Sequence, residues 1–185
     1  MAMTMQGVVD LAAPQTVVWD KLNDPAVLQA CIPGCQSLEK VSETAFVAVA
    51  RNKIGPVTAT FRGKVDLSDL DPPNAYRIHG EGDGGVAGFA KGAARVALAP
   101  DGAGTKLTYV VEAQVGGKIA QLGARLVDGV AKKLADQFFA NFAAVVSDPP
   151  AATGESPDDE APPQHSAEPS DDKKGVFGRL FGAKS

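Results

Sequence analysis

The sequence predicts an α+β fold of helix-grip architecture. A curved antiparallel β-sheet wraps around one long C-terminal helix, and two short helices follow the first strand. Three observations carry this. Segments of alternating polarity recur between turn residues across the first two-thirds of the chain. The pattern then switches to helical periodicity near residue 117. Beyond residue 146 large apolar residues vanish until the last dozen positions.

The elements follow in order. "TMQGVVDL" reads as a first strand. "PQTVVWDKLND" places Pro14 near a helix start and sets Val17, Val18 and Leu22 on one side, with Trp19 nearby. Asp24-Pro25 breaks that helix, and "AVLQA" makes a second short one. Six strands are expected near 37–42, 44–54, 57–69, 75–82, 88–98 and 105–115, with "DPPN" and "PDGAG" as turns. From 117 to 146, Leu122, Leu126, Val130, Leu134, Phe138 and Phe142 recur every fourth residue, and Ile119 and Val145 extend the stripe. A helix over that span is ~42 Å long.

Alternation assigns the two sheet faces. Val57, Ala59, Phe61, Gly63 and Val65 share one face, against Thr58, Thr60, Arg62 and Lys64 on the other. Phe46, Ala48 and Ala50 point inward if Arg51 and Lys53 point out. The inward set is apolar, but many members are small: Ala48, Ala50, Ala59, Gly63, Ala90, Gly92, Ala94 and Ala113. Small side chains leave either tight helix–sheet contact or a void, and composition alone does not choose.

Charge is unevenly laid out. The chain carries a net charge of -4, yet residues 1–146 hold 14 basic and 14 acidic side chains. A neutral body offers no broad field for nucleic acid. Residues 147–172 hold eight acids, no Lys or Arg, and six of the 13 prolines. Such a segment buries too little surface to offset its ordering entropy and is expected to be a disordered linker, with ends roughly 30 Å apart. The domain organisation expected is a body over 1–146, a linker over 147–172 and a tip over 173–185.

The tip, "KKGVFGRLFGAKS", is basic and apolar. As a helix it gathers Val176, Phe177, Leu180, Phe181 and Ala183 on one arc, with Lys174 and Arg179 bordering or opposing it and Lys173 and Lys184 at the ends. Gly175, Gly178 and Gly182 each cost about 1 kcal/mol of helix propensity, so the tip should coil only when its apolar face is buried. Such a helix is too short to cross a bilayer but can lie in the interface of an anionic membrane. Docking on a partner protein, or a degenerate tail, are the competing readings. Membrane contact is expected through Lys173, Lys174, Val176, Phe177, Arg179, Leu180 and Phe181.

Chemistry-bearing motifs are sparse. His79 is the single histidine of the body, and His165 lies in the linker. No Ser/His/Asp constellation, HExxH or paired histidines can be built. Cys31 and Cys35 are separated by three residues, which is not the CxxC spacing, and they read as small hydrophobes. Glu81 and Asp83 beside Gly84-Gly85 read as a surface turn. No metal and no covalent cofactor is expected. With two cysteines, no basic segment leading into an apolar run and no long apolar stretch, a cytosolic chain with reduced thiols is expected.

Several segments together carry a family likeness: "VVWDKLNDPAVLQACIPGC", "FRGKVDLSDLDPPNAYRIHGEG", "GFAKGAARVAL" and "GTKLTYVVEAQVGGKIAQLGARLVDGVAKKLADQFFANF". Over about residues 3–146 the chain resembles the carbon monoxide dehydrogenase G-subunit (CoxG) family, of the START/Bet v 1-like (SRPBCC) superfamily. The "GCxSLE" and "VGGKIAQLGxRL" segments are particular to that family. The resemblance implies a cavity rather than tight packing. Candidate walls are Phe46, Phe61, Tyr76, Phe89, Tyr109, Leu126, Leu134, Phe138 and Phe142. It also implies a molybdenum-containing carbon monoxide dehydrogenase, or a related molybdenum hydroxylase, as client, and a hydrophobic ligand, for which a respiratory quinone is the expectation. The resulting picture is a non-catalytic accessory protein, peripheral on the inner face of the cytoplasmic membrane. The alternatives are a general lipid carrier or a cyclase/aromatase-type enzyme acting on a small apolar substrate. An enzyme needs polar groups converging inside, and Tyr76, Tyr109, Gln114, Gln137 and Asn141 are the few candidates.

Overall fold

A computed structural model describes residues 1–147. Its seven strands are β1 (Ala2–Leu11), β2 (Cys35–Lys40), β3 (Ala45–Ile54), β4 (Val57–Asp71), β5 (Ala75–Asp83), β6 (Phe89–Asp101) and β7 (Gly104–Gly116). The helices are α1 (Gln15–Leu22), α2 (Pro25–Cys31) and α3 (Ala124–Ser147). All neighbouring strands are antiparallel, in the order β1-β7-β6-β5-β4-β3-β2. Strands β2 to β7 form a meander. The helical pair α1–α2 carries the chain from β1 to the opposite edge, so the first strand pairs with the last.

Local chemistry fixes the two small helices. Asp24 caps α2, its carboxylate accepting from the Ala26 amide at 2.9 Å, and Pro25 occupies the first turn. Gln15 at the start of α1 donates to the carbonyls of Pro73 (3.1 Å) and Leu98 (3.0 Å), pinning α1 to the β4–β5 turn and to β6. The buried Thr105 hydroxyl donates to the Ala13 carbonyl at 2.7 Å. Asn141 of α3 donates to the Cys31 carbonyl at 3.0 Å, tying the long helix to the end of α2.

The long helix starts at Ala124, not near 117 as the periodicity suggests. Gly117 and Gly123 have φ of +78° and +92°, outside the right-handed helical region, and only a 3-10 turn over Ala120–Leu122 fits between them. Leu122 therefore leaves the helical stripe. The 24 residues of α3 span ~36 Å. Strand β2 begins two residues earlier than expected, at Cys35, with a register shift before Ser37. The expected linker 147–172 and tip 173–185 lie, apart from Ser147, outside the described residues.

Two apolar clusters hold the sheet to the helices. One joins Leu11, Val18, Leu22, Leu98, Leu107, Phe142 and Val146. The other joins Ala59, Ala87, Val115, Ile119 and Val127 at the opposite end of α3.

Candidate functional site: two apolar cavities under the long helix

The sheet and α3 enclose two cavities. The larger, about 300 Å³, sits under the second half of α3, against Ala135, Phe138 and Phe139. Its floor is the inward face of the sheet, including Val65, Ile78, Ala94 and Val111, and Leu28 and Ile32 close one side. The smaller, about 290 Å³, sits under the first half of α3, against Val127, Val130, Ala131 and Leu134. The wall facing the larger space is almost entirely carbon. Asn52 is the one polar side chain on the smaller wall.

The nine expected wall residues divide four ways. Phe46, Tyr76, Tyr109 and Phe138 line the larger cavity. Phe61 and Leu134 line the smaller one. Phe142 is fully buried in the core and stacks on Phe138 at 5.9 Å, facing neither space. Phe89 and Leu126 cover glycines instead: Phe89 lies over Gly116 and is 45% exposed, while Leu126 lies over Gly55.

Periodicity missed Phe139. It stacks on Tyr109 with ring centroids 5.0 Å apart and packs edge-on against Phe138 at 5.1 Å. A stripe counted every fourth residue selects one position per turn, whereas a core-facing helix buries a wider arc. Consecutive Phe138 and Phe139 were the available signal. Trp19 also escaped the wall list. Its ring meets Tyr76 edge-on at 5.3 Å, backing the cavity wall from outside.

Over part of the sheet the small inward residues leave space rather than tight contact with α3. A Cβ built on Gly63, Gly80 or Gly82 would meet only sheet atoms, at 3.4 to 4.0 Å, and no atom of α3. Gly92 differs, because there the neighbouring β7 backbone itself blocks a side chain.

Reactive groups stay away from these spaces. His79 is exposed on the outer face, 3.1 Å from the Ser68 hydroxyl. Asp83 accepts from the Gly85 amide at 2.7 Å, making the turn. Gln114, Gln137 and Asn141 are exposed, so of the five polar candidates only the two tyrosines border a cavity. Arg51, Arg62 and Arg95 are on the solvated face. Cys31 is buried and Cys35 half-buried, both unbridged. Burial raises both thiol pKa values, partly offset at Cys35 by its bond to the Ser37 carbonyl. Neither is an activated nucleophile. Among the described residues no cluster of His, Cys, Asp and Glu could hold a metal ion, and no helix is long and apolar enough to cross a membrane.

The sequence model of one family, the carbon monoxide dehydrogenase G subunit (CoxG), matches residues 7–147. The chain belongs to the CoxG family. That family is one of accessory subunits, and carbon monoxide dehydrogenase is the enzyme its name attaches to. A conserved protein of Geobacillus kaustophilus is 34% identical with a TM-score of 0.74, covering 78% of this chain and 95% of its own. Two more distant structures share the fold alone. The Zhui aromatase/cyclase from Streptomyces sp. R1128 is 14% identical (TM-score 0.59), covering 79% of this chain and 94% of its own. Ara h 8.0201 is 16% identical (TM-score 0.56), covering 79% and 98%. The Bet v 1-like helix-grip architecture is thereby established. No curated protein matches the chain at a significant level.

Proposed function

We propose that this CoxG-family chain is a non-catalytic accessory protein. It recruits a molybdenum-containing carbon monoxide dehydrogenase, or a related molybdenum hydroxylase, to the cytoplasmic membrane, and its body holds a hydrophobic ligand, a respiratory quinone. The observation that carries the ligand half is the pair of carbon-walled cavities beneath α3. Pockets for small apolar molecules occupy roughly 300–1,000 Å³ and are mainly apolar. An ionised headgroup placed inside would be buried without a partner, at a cost of several kcal/mol, so the interior favours a neutral molecule over a fatty-acid carboxylate. A quinone is neutral, lives in lipid and accepts electrons, which is what an oxidoreductase facing the respiratory chain needs.

Family membership supports the choice of client. The membrane half rests on the sequence of residues 173–185, where four basic residues flank two phenylalanines and a leucine. Each cation near an anionic surface contributes about 1 kcal/mol, and burial of the aromatic rings adds to it. The acidic linker is repelled by the same surface.

Solvent extraction of the purified full-length protein followed by mass spectrometry tests the ligand. A quinone in the extract supports the reading. A fatty acid, or no lipid, counts against a quinone carrier.

A further inference from the structure

We infer that the free edge of β1 seats a second copy of this chain, paired antiparallel to it across a two-fold axis. The pairing goes beyond the proposed function and does not depend on it.

The two edges of the sheet differ. The β2 edge is six residues long, breaks register before Ser37, carries Glu39 and Lys40, and has α2 packed beside it. Each of these features discourages the addition of another strand. The β1 edge has none of them. It runs ten residues, Ala2–Leu11, in unbroken register with β7. It holds no Lys, Arg, Glu or Pro, and its one charged side chain, Asp10, lies 3.6 Å from Lys106.

The hydrogen-bond pattern shows which groups face outward. Met1 and Val115 bond each other twice, nitrogen to carbonyl, at 2.9 and 2.8 Å. Such pairs alternate along an antiparallel ladder, so Met3, Met5, Gly7, Val9 and Leu11 turn their N–H and C=O to β7. Ala2, Thr4, Gln6, Val8 and Asp10 turn theirs to the free edge, and among the described residues no backbone group bonds them there. Five donors and five acceptors at every second residue are a template for one more antiparallel strand.

The local chemistry suits a second copy. Paired with itself end to end about a dyad at Gln6, β1 sets Ala2 against Asp10 and Thr4 against Val8, and all five outward residues are used. No like charges meet in that register. Val8, 61% exposed, gains a β-branched neighbour in Thr4 of the second copy. On the α3 side of the edge, a groove of about 450 Å³ separates β1 from Asp128, Lys132 and Asp136. These three are spaced by four and form one row along α3, with charges negative, positive, negative. A two-fold axis normal to the sheet runs this row antiparallel to its own copy. With a one-turn offset, each Lys132 then faces an aspartate of the other chain, whereas a row of one sign would repel its copy. The dimer also carries two of the basic tips, so a second membrane attachment becomes intramolecular.

The test uses the full-length protein in analytical ultracentrifugation, with amide exchange read by NMR. The protein should form a dimer below about 100 µM, and the amides of Ala2, Thr4, Gln6, Val8 and Asp10 should exchange more slowly in the dimer than on dilution. Gln6→Pro removes an N–H that the chain's own sheet does not use, a change edge strands tolerate. It should weaken the dimer at least about tenfold, because each substitution acts twice across the dyad. Gln6→Lys and Gln6→Glu, each placing like charges face to face, should dimerise less well alone than when mixed, the mixed dimer being identified by isotope labelling of one variant and native mass spectrometry. If Gln6→Pro does not fold, this charge pair decides. A chain that stays monomeric, or a dimer indifferent to all three variants, would overturn the pairing. Slow exchange of the five amides in a monomer would mean that another segment occupies the edge, and would overturn it too.

Discussion

Tyr76 shows how burial turns an ordinary side chain into a pH-sensitive one. Enclosure raises its phenol pKa far above the usual 10.0, because the phenolate would lose its hydration. The folded protein therefore holds this proton, whereas the unfolded chain releases it near its ordinary value. The sign follows: the contribution is fully present below about pH 10 and is lost as pH rises beyond it. Alkaline denaturation of the native protein and of Tyr76→Phe should show a steeper loss of stability in the native protein. The phenolate absorbance that distinguishes the two should appear only with unfolding. A Tyr76 signal titrating near pH 10 in the folded state would contradict its burial. Gly7 makes a second residue-scale case. A Cβ there would stand 2.5 Å from the Tyr109 hydroxyl, so Gly7→Ala must displace that ring and its stack on Phe139. Overpacking of this kind costs about 1–3 kcal/mol, read as a lowered midpoint in urea unfolding.

At the scale of the element, α3 has distinct segments. Around Phe142 and Val146 it is core: Phe142 is fully buried and Val146 is 6% exposed. Under residues 127–139 it roofs the cavities. Truncations should separate the two. Phe142→Ala should cost about 3–5 kcal/mol, since it removes a fully buried ring from the packed core. Phe89→Ala, on a half-exposed strand residue, should cost far less, because surface changes usually fall within about 0.5 kcal/mol. Chemical denaturation of both variants checks the contrast, and equal losses would contradict the assignment of Phe142 to the core. The periodicity that announced this helix also misplaced its start. Hydrophobic spacing continues through Ile119 and Leu122 whether or not the backbone is helical, but the positive φ of Gly117 and Gly123 breaks the run.

For the whole molecule, the proposal joins a lipid-holding body to a membrane-seeking end. Deleting residues 173–185 should release the protein, and a bound client with it, from anionic liposomes. High salt should weaken the native protein's attachment only in part, because burial of Phe177 and Phe181 is not screened. Co-sedimentation measures both. A truncated chain that sediments as well as the full one would defeat the tether, and Phe177→Glu with Phe181→Glu separates ring burial from charge. The client and the quinone are not written in any local pattern of this chain. Membership of the CoxG family over residues 7–147 supports only an association with carbon monoxide dehydrogenase, and the quinone belongs to the proposal.

Sequence alone determined the strand faces, the two short helices, the long helix and the near-absence of reactive groups inside. Each depends on periods of two or 3.6 residues, or on turn chemistry, which act over a few neighbours. It also marked the inward glycines and alanines, but could not say whether they were filled or empty. That was decided only by how far α3 stands from the sheet, a distance set by bulky residues elsewhere, such as Phe142 and Leu107 in the core. For the same reason the nine expected wall residues scattered among two cavities, the core and two glycine covers. Facing inward is a property of one strand or helix. Facing a space depends on what the opposite layer leaves unfilled.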